Sequence, residues 1–251
     1  MIYFIGAGPG DVELITVKGQ KILKKADVVI YAGSLVNPDL LKYCKTGTRI
    51  FNSAQMTLEE VLEVIKSSDS ENKTVVRLHT GDPCLYGAIR EQMDELDKMN
   101  LKYESIPGVS SFCAAASSLN LEYTLPDVSQ TVIISRLQGR TSVPEKESLR
   151  SLASHNATLV LFLSSGMTEK VREELLQSGI KGQTPAAIVY KASWKEEKKV
   201  ICTVETLSKA AQENNISKTA LIIIGEVVSK TNYSRSRLYA PDFSTEFRKA
   251  K

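Results

Sequence analysis

Little in this 251-residue chain points to disulfide, metal or polyanion chemistry. Its four cysteines, Cys44, Cys84, Cys113 and Cys202, stand too far apart for a C-x-x-C pair or a disulfide framework, which fits a reducing compartment. The two histidines, His79 and His155, have no second ligand at a metal-binding interval, so no protein-bound metal is expected. Lys and Arg number 32 against 29 Asp and Glu. The resulting net charge of +3 is too small for electrostatics alone to signal nucleic acid or a membrane surface, though it leaves room for a compact anionic substrate. No apolar run is long enough to cross a bilayer, and the opening MIYFIGAG carries no basic region, long apolar run or cleavage site. A soluble, cytoplasmic protein is expected.

What the chain does have is a regular alternation of apolar and amphipathic segments. With 42% hydrophobic residues it can build one large α/β domain or two compact ones of roughly 100–150 residues each, and two are expected. Ile2–Ile5, a helix from about Thr16 to Lys25, and Val28–Tyr31 read as a βαβ unit with a parallel sheet. Thr57-Leu-Glu-Glu60 is a capping box that opens a helix to about Ile65, and Lys73–His79 follows as a buried strand. A helix near Gly87–Met99, a strand around Tyr103 and the turn Ile106–Ser110 complete this half.

A small-residue helix at Phe112–Ser117 then gives way to the aperiodic stretch Asn120–Asp127. This places an N-terminal α/β domain at 1–119, a linker at 120–128 and a C-terminal α/β domain at 129–251. Strands are expected at Thr131–Ser135, Thr158–Leu163, Ala186–Tyr190, Val200–Thr203 and Ala220–Ile224, several of them continuous apolar runs suited to cover on both faces. The tail after Val228, rich in Ser, Arg and Lys, is expected to be loosely ordered.

Three loops carry the candidate chemistry, each at the carboxyl end of a strand, where open α/β sheets bind ligands. In Gly6-Ala-Gly-Pro-Gly-Asp11 the third glycine of a dinucleotide fingerprint falls on Asp11, and Tyr31 is followed by Ala-Gly-Ser-Leu rather than a ribose-binding acid. No Gly-Lys-Ser/Thr follows, so a P-loop fails too, and spacing alone leaves a tight turn without a ligand open. In Thr80-Gly-Asp-Pro-Cys-Leu-Tyr-Gly87 the glycines permit close backbone approach and Pro83 fixes the turn; Asp82 either faces a ligand or caps the following turn. Pro107-Gly-Val-Ser-Ser111 offers hydroxyls and amides together. The absence of a Gly-x-Ser-x-Gly elbow argues against a serine hydrolase.

These loops, in this order, resemble the tetrapyrrole methylase family, and the resemblance extends through Thr158–Leu163, Pro185–Ala192 and Thr219–Val227 to cover almost the whole chain. Tyr31–Val36, Leu78–Pro83, Gly87–Gln92 and above all Ser129–Thr141 are similar to the branch that methylates ring carbon C11 of precorrin-4. Relatives that methylate uroporphyrinogen III carry an acidic residue and a lysine where this chain has Ala32 and Asn52-Ser53-Ala54.

The resemblance implies two α/β domains with a cofactor cleft between them, S-adenosyl-L-methionine as methyl donor and S-adenosyl-L-homocysteine as product. It also implies a tetrapyrrole substrate, with or without cobalt, and a homodimer that binds neither nucleic acid nor membrane. Pro9, Thr80, Gly81, Asp82, Leu85, Ser110, Ser111, Leu163, Ala192 and Ala220 would line the cofactor site. A sulfonium suits such a lining of acceptor oxygens and apolar groups. Arg136 and Arg140, in the branch-specific segment, are the candidates to grip substrate carboxylates, against a plain alternative as solvated surface charges. No side chain is assigned as acid or base. Within the fold, a methylase acting on a macromolecule is the nearest alternative, which the mild charge disfavours for RNA.

Overall fold

The computed structural model describes residues 1–139, 141–230 and 233–250. The chain packs as two compact units, Met1–Ala114 together with Lys191–Glu196, and Ala115–Tyr190 together with Glu197–Lys251.

The first unit is built on a five-stranded sheet in the order β3-β2-β4-β1-β5. Its strands are β1 (Ile2–Gly6), β2 (Val28–Tyr31), β3 (Arg49–Asn52), β4 (Val75–His79) and β5 (Tyr103–Ile106). Every pairing is parallel. All five residues of the central strand β4 are buried, as a strand covered on both faces requires. The edge strand β3 is half exposed and marks its place with only two apolar residues, Ile50 and Phe51.

Alternation along β1 divides the core. Ile5 packs with Ile15 and Leu23 on the face of α1 (Val17–Leu23), while Ile2 and Phe4 pack with Val61, Ile65, Met93 and Leu96 on the face of α2 (Leu58–Ser70) and α3 (Arg90–Lys98). Phe4 is fully buried, so its truncation to Ala would cost on the order of 3–5 kcal/mol. Both α1 and α2 start on a threonine cap, that of α2 being the capping box read from sequence. Thr16 accepts from the Gly19 amide at 3.1 Å. Thr57 and Glu60 make a reciprocal capping box, the Thr57 amide donating to Glu60 Oε2 at 2.7 Å and the Glu60 amide to Thr57 Oγ1 at 3.3 Å. The α2 helix runs on to Ser70, beyond the expected end near Ile65, because Val61, Leu62, Ile65 and Ser68 continue its buried stripe.

In the second unit the sheet order is β6-β7-β10-β8-β9, with β6 (Val132–Arg136), β7 (Thr158–Phe162), β8 (Pro185–Tyr190), β9 (Lys198–Thr203) and β10 (Ala220–Ile224). This sheet is mixed: β6 and β7 are parallel, whereas β10 runs antiparallel to both β7 and β8, and β8 antiparallel to β9. One face, carrying Leu159, Leu161, Ile188, Ile222 and Ile224, packs on α5 (Leu149–Ala153), α6 (Thr168–Gln177) and α7 (Leu207–Glu213) through Leu149, Val171, Leu175, Leu207 and Ala211. The division between units falls inside α4 (Ser111–Leu119), and Lys191–Glu196 returns to the first unit, whereas composition alone points to a boundary at 120–128. Beyond Val228 the described tail holds a 3-10 turn at Arg237–Tyr239 and an isolated bridge between Thr245 and Arg248.

Candidate active site

The strand order of the first unit creates a crevice. From β1 the chain crosses through α1 to β2 on one side of the sheet, and from its neighbour β4 it crosses through α3 to β5 on the other. Adjacent strands whose connections depart in opposite directions define a topological switch point, where the loops diverge and leave room for a ligand beyond the carboxyl ends. The loops after β1, β4 and β5 meet at this point.

Their meeting is backbone to backbone. Gly8 and Gly81 form an antiparallel bridge, with the Gly81 amide donating to Gly8 O at 2.8 Å and the Gly8 amide to Gly81 O at 3.3 Å. A Cβ on Gly6 would lie 2.5 Å from Gly108 Cα, and one on Gly108 would lie 2.2 Å from Gly81 O. Any side chain at either position would force the loops apart, which is why both are glycine.

Asp82 fastens the arrangement. Its Oδ1 accepts from the Cys84 amide at 2.8 Å and its Oδ2 from the Gly108 amide at 2.9 Å, so it caps its own turn and also holds the third loop. Partial burial works to raise the Asp82 pKa; hydrogen bonds from the Cys84 thiol and from the Cys84 and Gly108 amides outweigh it and leave the carboxyl below its ordinary value. The same carboxylate holds the Cys84 thiol protonated, above its usual pKa.

Beneath the second loop lies a buried polar group of three. The Arg77 guanidinium donates to Ile30 O and to Gln92 Oε1, both at 2.9 Å, and Gln92 Nε2 donates to Ala88 O at 2.9 Å. Burial lowers the Arg77 pKa to about 10, which still leaves it a cation. His79, 5% exposed beside it, has no hydrogen-bond partner at Nε2. Desolvation, and then the Arg77 charge, push its pKa down to about 3, so it is a neutral packing residue. Among the described residues no cluster of three His, Cys, Asp or Glu side chains could hold a metal, and all four cysteines are free thiols.

The sequence-derived residues distribute as follows. Buried Pro9 and Gly81 and half-buried Thr80, Asp82 and Leu85 lie in the first two loops, and Ser110 and Ser111 where the third loop opens α4. Ala192 belongs to the first unit, beside Ser193, whose hydroxyl accepts from the Asp11 amide at 3.0 Å. Leu163 and Ala220 lie in the second unit. The antiparallel pairing of Ile222 with Leu161 brings the start of β10 to the end of β7, so the two share one end of the sheet. Leu163 is 65% exposed in a left-handed backbone conformation (φ 51°), a strained position for a leucine.

Arg136 pairs with Phe162 at that same end. Its guanidinium donates to Thr141 O at 3.1 Å and Ser142 O at 2.7 Å, binding its own loop. Arg140 lies outside the described residues. Sequence reasoning missed Trp194, the chain's single tryptophan, whose indole N–H donates to Pro9 O at 2.8 Å. Its rarity and its place two residues beyond Ala192 were the available signals.

The geometry fits a sulfonium-bearing nucleoside cofactor. Thr80, Ser110 and Ser111 place hydroxyls in the close-packed glycine loops, and the buried cation beneath them, Arg77, has its charge engaged by Ile30 and Gln92. Solved structures share this fold. A cobalt precorrin-4 methyltransferase, a cobalamin biosynthetic enzyme, superposes with a TM-score of 0.89 at 49% identity, covering 90% of this chain and 95% of that one. The uroporphyrin-III C-methyltransferase of Thermus thermophilus, complexed with S-adenosyl homocysteine, gives 0.77 at 30% identity, covering 92% and 99%. The architecture is that of a two-sheet α/β methylase.

The chain belongs to the tetrapyrrole (corrin/porphyrin) methylases, whose family model matches residues 1–208. It is 53% identical to the cobalt-precorrin-4 C(11)-methyltransferase of Methanocaldococcus jannaschii over 99% of this chain and 96% of that protein. It is 47% identical to the Priestia megaterium enzyme of the same name, over 99% and 97%.

Proposed function

We propose that this protein transfers a methyl group from S-adenosyl-L-methionine to ring carbon C11 of cobalt-precorrin-4, giving cobalt-precorrin-5 in cobalamin biosynthesis. The observation that carries the activity is the fusion of three strand-end loops at Gly6, Gly81 and Gly108 in a chain that matches C11-methyltransferases end to end. The cobalt-bearing substrate is favoured because both of these relatives are named for it. The cobalt belongs to the substrate.

When bound, the cofactor supplies an electrophilic methyl on a sulfonium. The chain's own part is to bind and align, since the electron-rich ring carbon is itself the nucleophile and the displacement needs an in-line approach in a dry site. The Pro9, Thr80–Asp82 and Ser110–Ser111 loops receive the donor, with Leu85, Ala192, Leu163 and Ala220 as apolar lining. Arg136 orders the loop that meets the substrate. No residue is assigned to move a proton.

Incubation with labelled S-adenosyl-L-methionine and either cobalt-precorrin-4 or its metal-free form tests this. A product methylated at C11 from the cobalt substrate is expected. Turnover of the metal-free substrate alone would move the enzyme to the other branch of the pathway, and methylation at another carbon would overturn the C11 assignment.

A homodimer is part of the same reading, supported by the exposed Ile50 and Ile201 on the edge strands β3 and β9. Light scattering at tens of micromolar protein checks it. The four free thiols suit a reducing cytoplasm, and among the described residues no helix is long and apolar enough to cross a membrane.

A further inference from the structure

We propose that Trp194 is a positioning residue that holds the first loop in the conformation that receives the methyl donor, and that residue 10 is glycine to admit its indole. This rests on the S-adenosyl-L-methionine reading above.

Three consecutive residues of the loop are tied by bonds from distant parts of the chain. Pro9 O accepts from the Trp194 indole N–H at 2.8 Å, Gly10 O from Asn37 Nδ2 at 2.7 Å, and the Asp11 amide donates to Ser193 Oγ at 3.0 Å. Two of the three anchors come from the strap between β8 and β9, which packs within the first unit. The strap is itself held in an unusual shape. Lys191 and Ser193 both adopt left-handed backbone (φ 46° and 69°), and Lys191 Nζ lies 5.1 Å from the Trp194 ring centroid.

Gly10 differs in kind from Gly6 and Gly108. A Cβ there would stand 2.0 Å from Trp194 Cδ1, 2.2 Å from Nε1 and 2.7 Å from Cγ, so the three nearest atoms all belong to the indole. Gly10 is also absent from the positive-φ glycines, so its backbone would accept alanine. The requirement for glycine at this position therefore comes from Trp194. A clamped loop need not be ordered when the ligand binds, and preorganisation of this kind raises affinity without touching the reacting atoms.

The test is titration with S-adenosyl-L-homocysteine and steady-state kinetics on wild type, Gly10→Ala, Trp194→Phe, Trp194→Ala and the Gly10→Ala/Trp194→Ala double variant. Losing the indole donor alone should weaken binding about threefold in Trp194→Phe, and losing ring and donor about tenfold or more in Trp194→Ala. Gly10→Ala should weaken binding by a similar factor of about ten and, because Trp194 is the only tryptophan, red-shift the protein's emission as the ring is displaced. The double variant should bind no worse than Trp194→Ala, since the three atoms nearest the added methyl are then gone. The loss should fall on KM for the methyl donor more than on kcat.

Multiplicative losses in the double variant would overturn the clamp, as would unchanged affinity in Trp194→Ala or a fall in kcat with KM unmoved. If Trp194→Ala does not fold, Trp194→Phe and Gly10→Ala still decide through affinity and emission. Wild-type protein that gives no signal at millimolar ligand would overturn the cofactor reading, and the clamp with it.

Discussion

Asp82 and Gly108, 26 residues apart in sequence, are joined by one hydrogen bond of 2.9 Å from the Gly108 amide to Asp82 Oδ2. With Oδ1 taken by the Cys84 amide, this short side chain ties the loop after β4 to the loop after β5. An anionic acceptor between two amide donors is a charge-assisted arrangement, stronger than a neutral pair.

The Asp82→Ala variant loses both bonds. Each amide left without an acceptor costs about 1–3 kcal/mol, less where water reaches it, so the protein should remain folded with stability reduced by about that amount. Methyl transfer should fall by one to three orders of magnitude, roughly 1.5–4 kcal/mol, because the loops that receive the donor lose their register. Asp82→Asn keeps an acceptor for one amide and should fall between. Chemical denaturation and steady-state assays measure the two effects separately, and an Asp82→Ala enzyme of full stability and activity would show that the bond does no positioning.

His79 makes stability depend on pH from below neutrality, and in the upper part of its range, pH 7 to 5, carboxylates contribute little. Its folded pKa of about 3 lies below the ordinary histidine value of 6.5, so between these values the unfolded chain binds a proton that the folded protein refuses. Stability is therefore whole above pH 6.5 and declines as pH falls toward 3, with a slope approaching about 1.4 kcal/mol per pH unit. Asp82, with its lowered pKa, adds to the loss only at lower pH, below the ordinary carboxylate value. Urea midpoints measured from pH 7 to pH 5 should fall for wild type and stay nearly flat for His79→Gln. An equal decline in both would mean that another group takes up the proton.

Arg77 and Gln92 should behave as a unit. Gln92→Leu strips one partner from a buried guanidinium and frees Ala88 O, while Arg77→Met leaves Gln92 Oε1 and Ile30 O without their donor. Each single change should cost about 1.5–3 kcal/mol. The double variant replaces both partners by apolar groups and removes a desolvated charge, so it should cost less than the sum of the two. Thermal or chemical denaturation of the four proteins gives the coupling, and strict additivity would contradict it.

What could be read from the sequence, and what could not, follows from the range of the interactions involved. The Thr57–Glu60 box and the apolar runs of β1, β4 and β10 are local signals and were legible. The direction of the strands in the second sheet was not, because a continuous apolar run such as Ile222–Ile224 reads the same in either orientation. The three loops could be aligned by their glycines. That Gly6 and Gly108 touch, or that Trp194 bonds to Pro9 across 185 positions, depends on tertiary packing that no spacing rule encodes. Arg136 carries a charge in a branch-specific segment, but its bonds to Thr141 and Ser142 emerge only once the loop is folded.

Those two bonds shape the last prediction, which separates substrate from cofactor binding. Arg136 uses two donors on the carbonyls of its own loop, so Arg136→Leu removes both a charge and the tether to Thr141 and Ser142. Hydrogen bonds from charged groups are worth about 1.5–3 kcal/mol, and the substrate must then supply the loop ordering they gave, so tetrapyrrole affinity should fall by up to roughly 10- to 150-fold. Arg136→Lys should recover little of it, since a single ammonium cannot present the planar fork that spans two carbonyls. Binding of S-adenosyl-L-homocysteine should remain close to wild type, because the Pro9, Asp82 and Ser110 loops are built from other contacts. Paired titrations of both ligands against wild type and the two variants measure the split. Unchanged tetrapyrrole affinity in Arg136→Leu would remove this loop from the substrate site, and a loss of homocysteine-analogue binding instead would assign the loop to the cofactor.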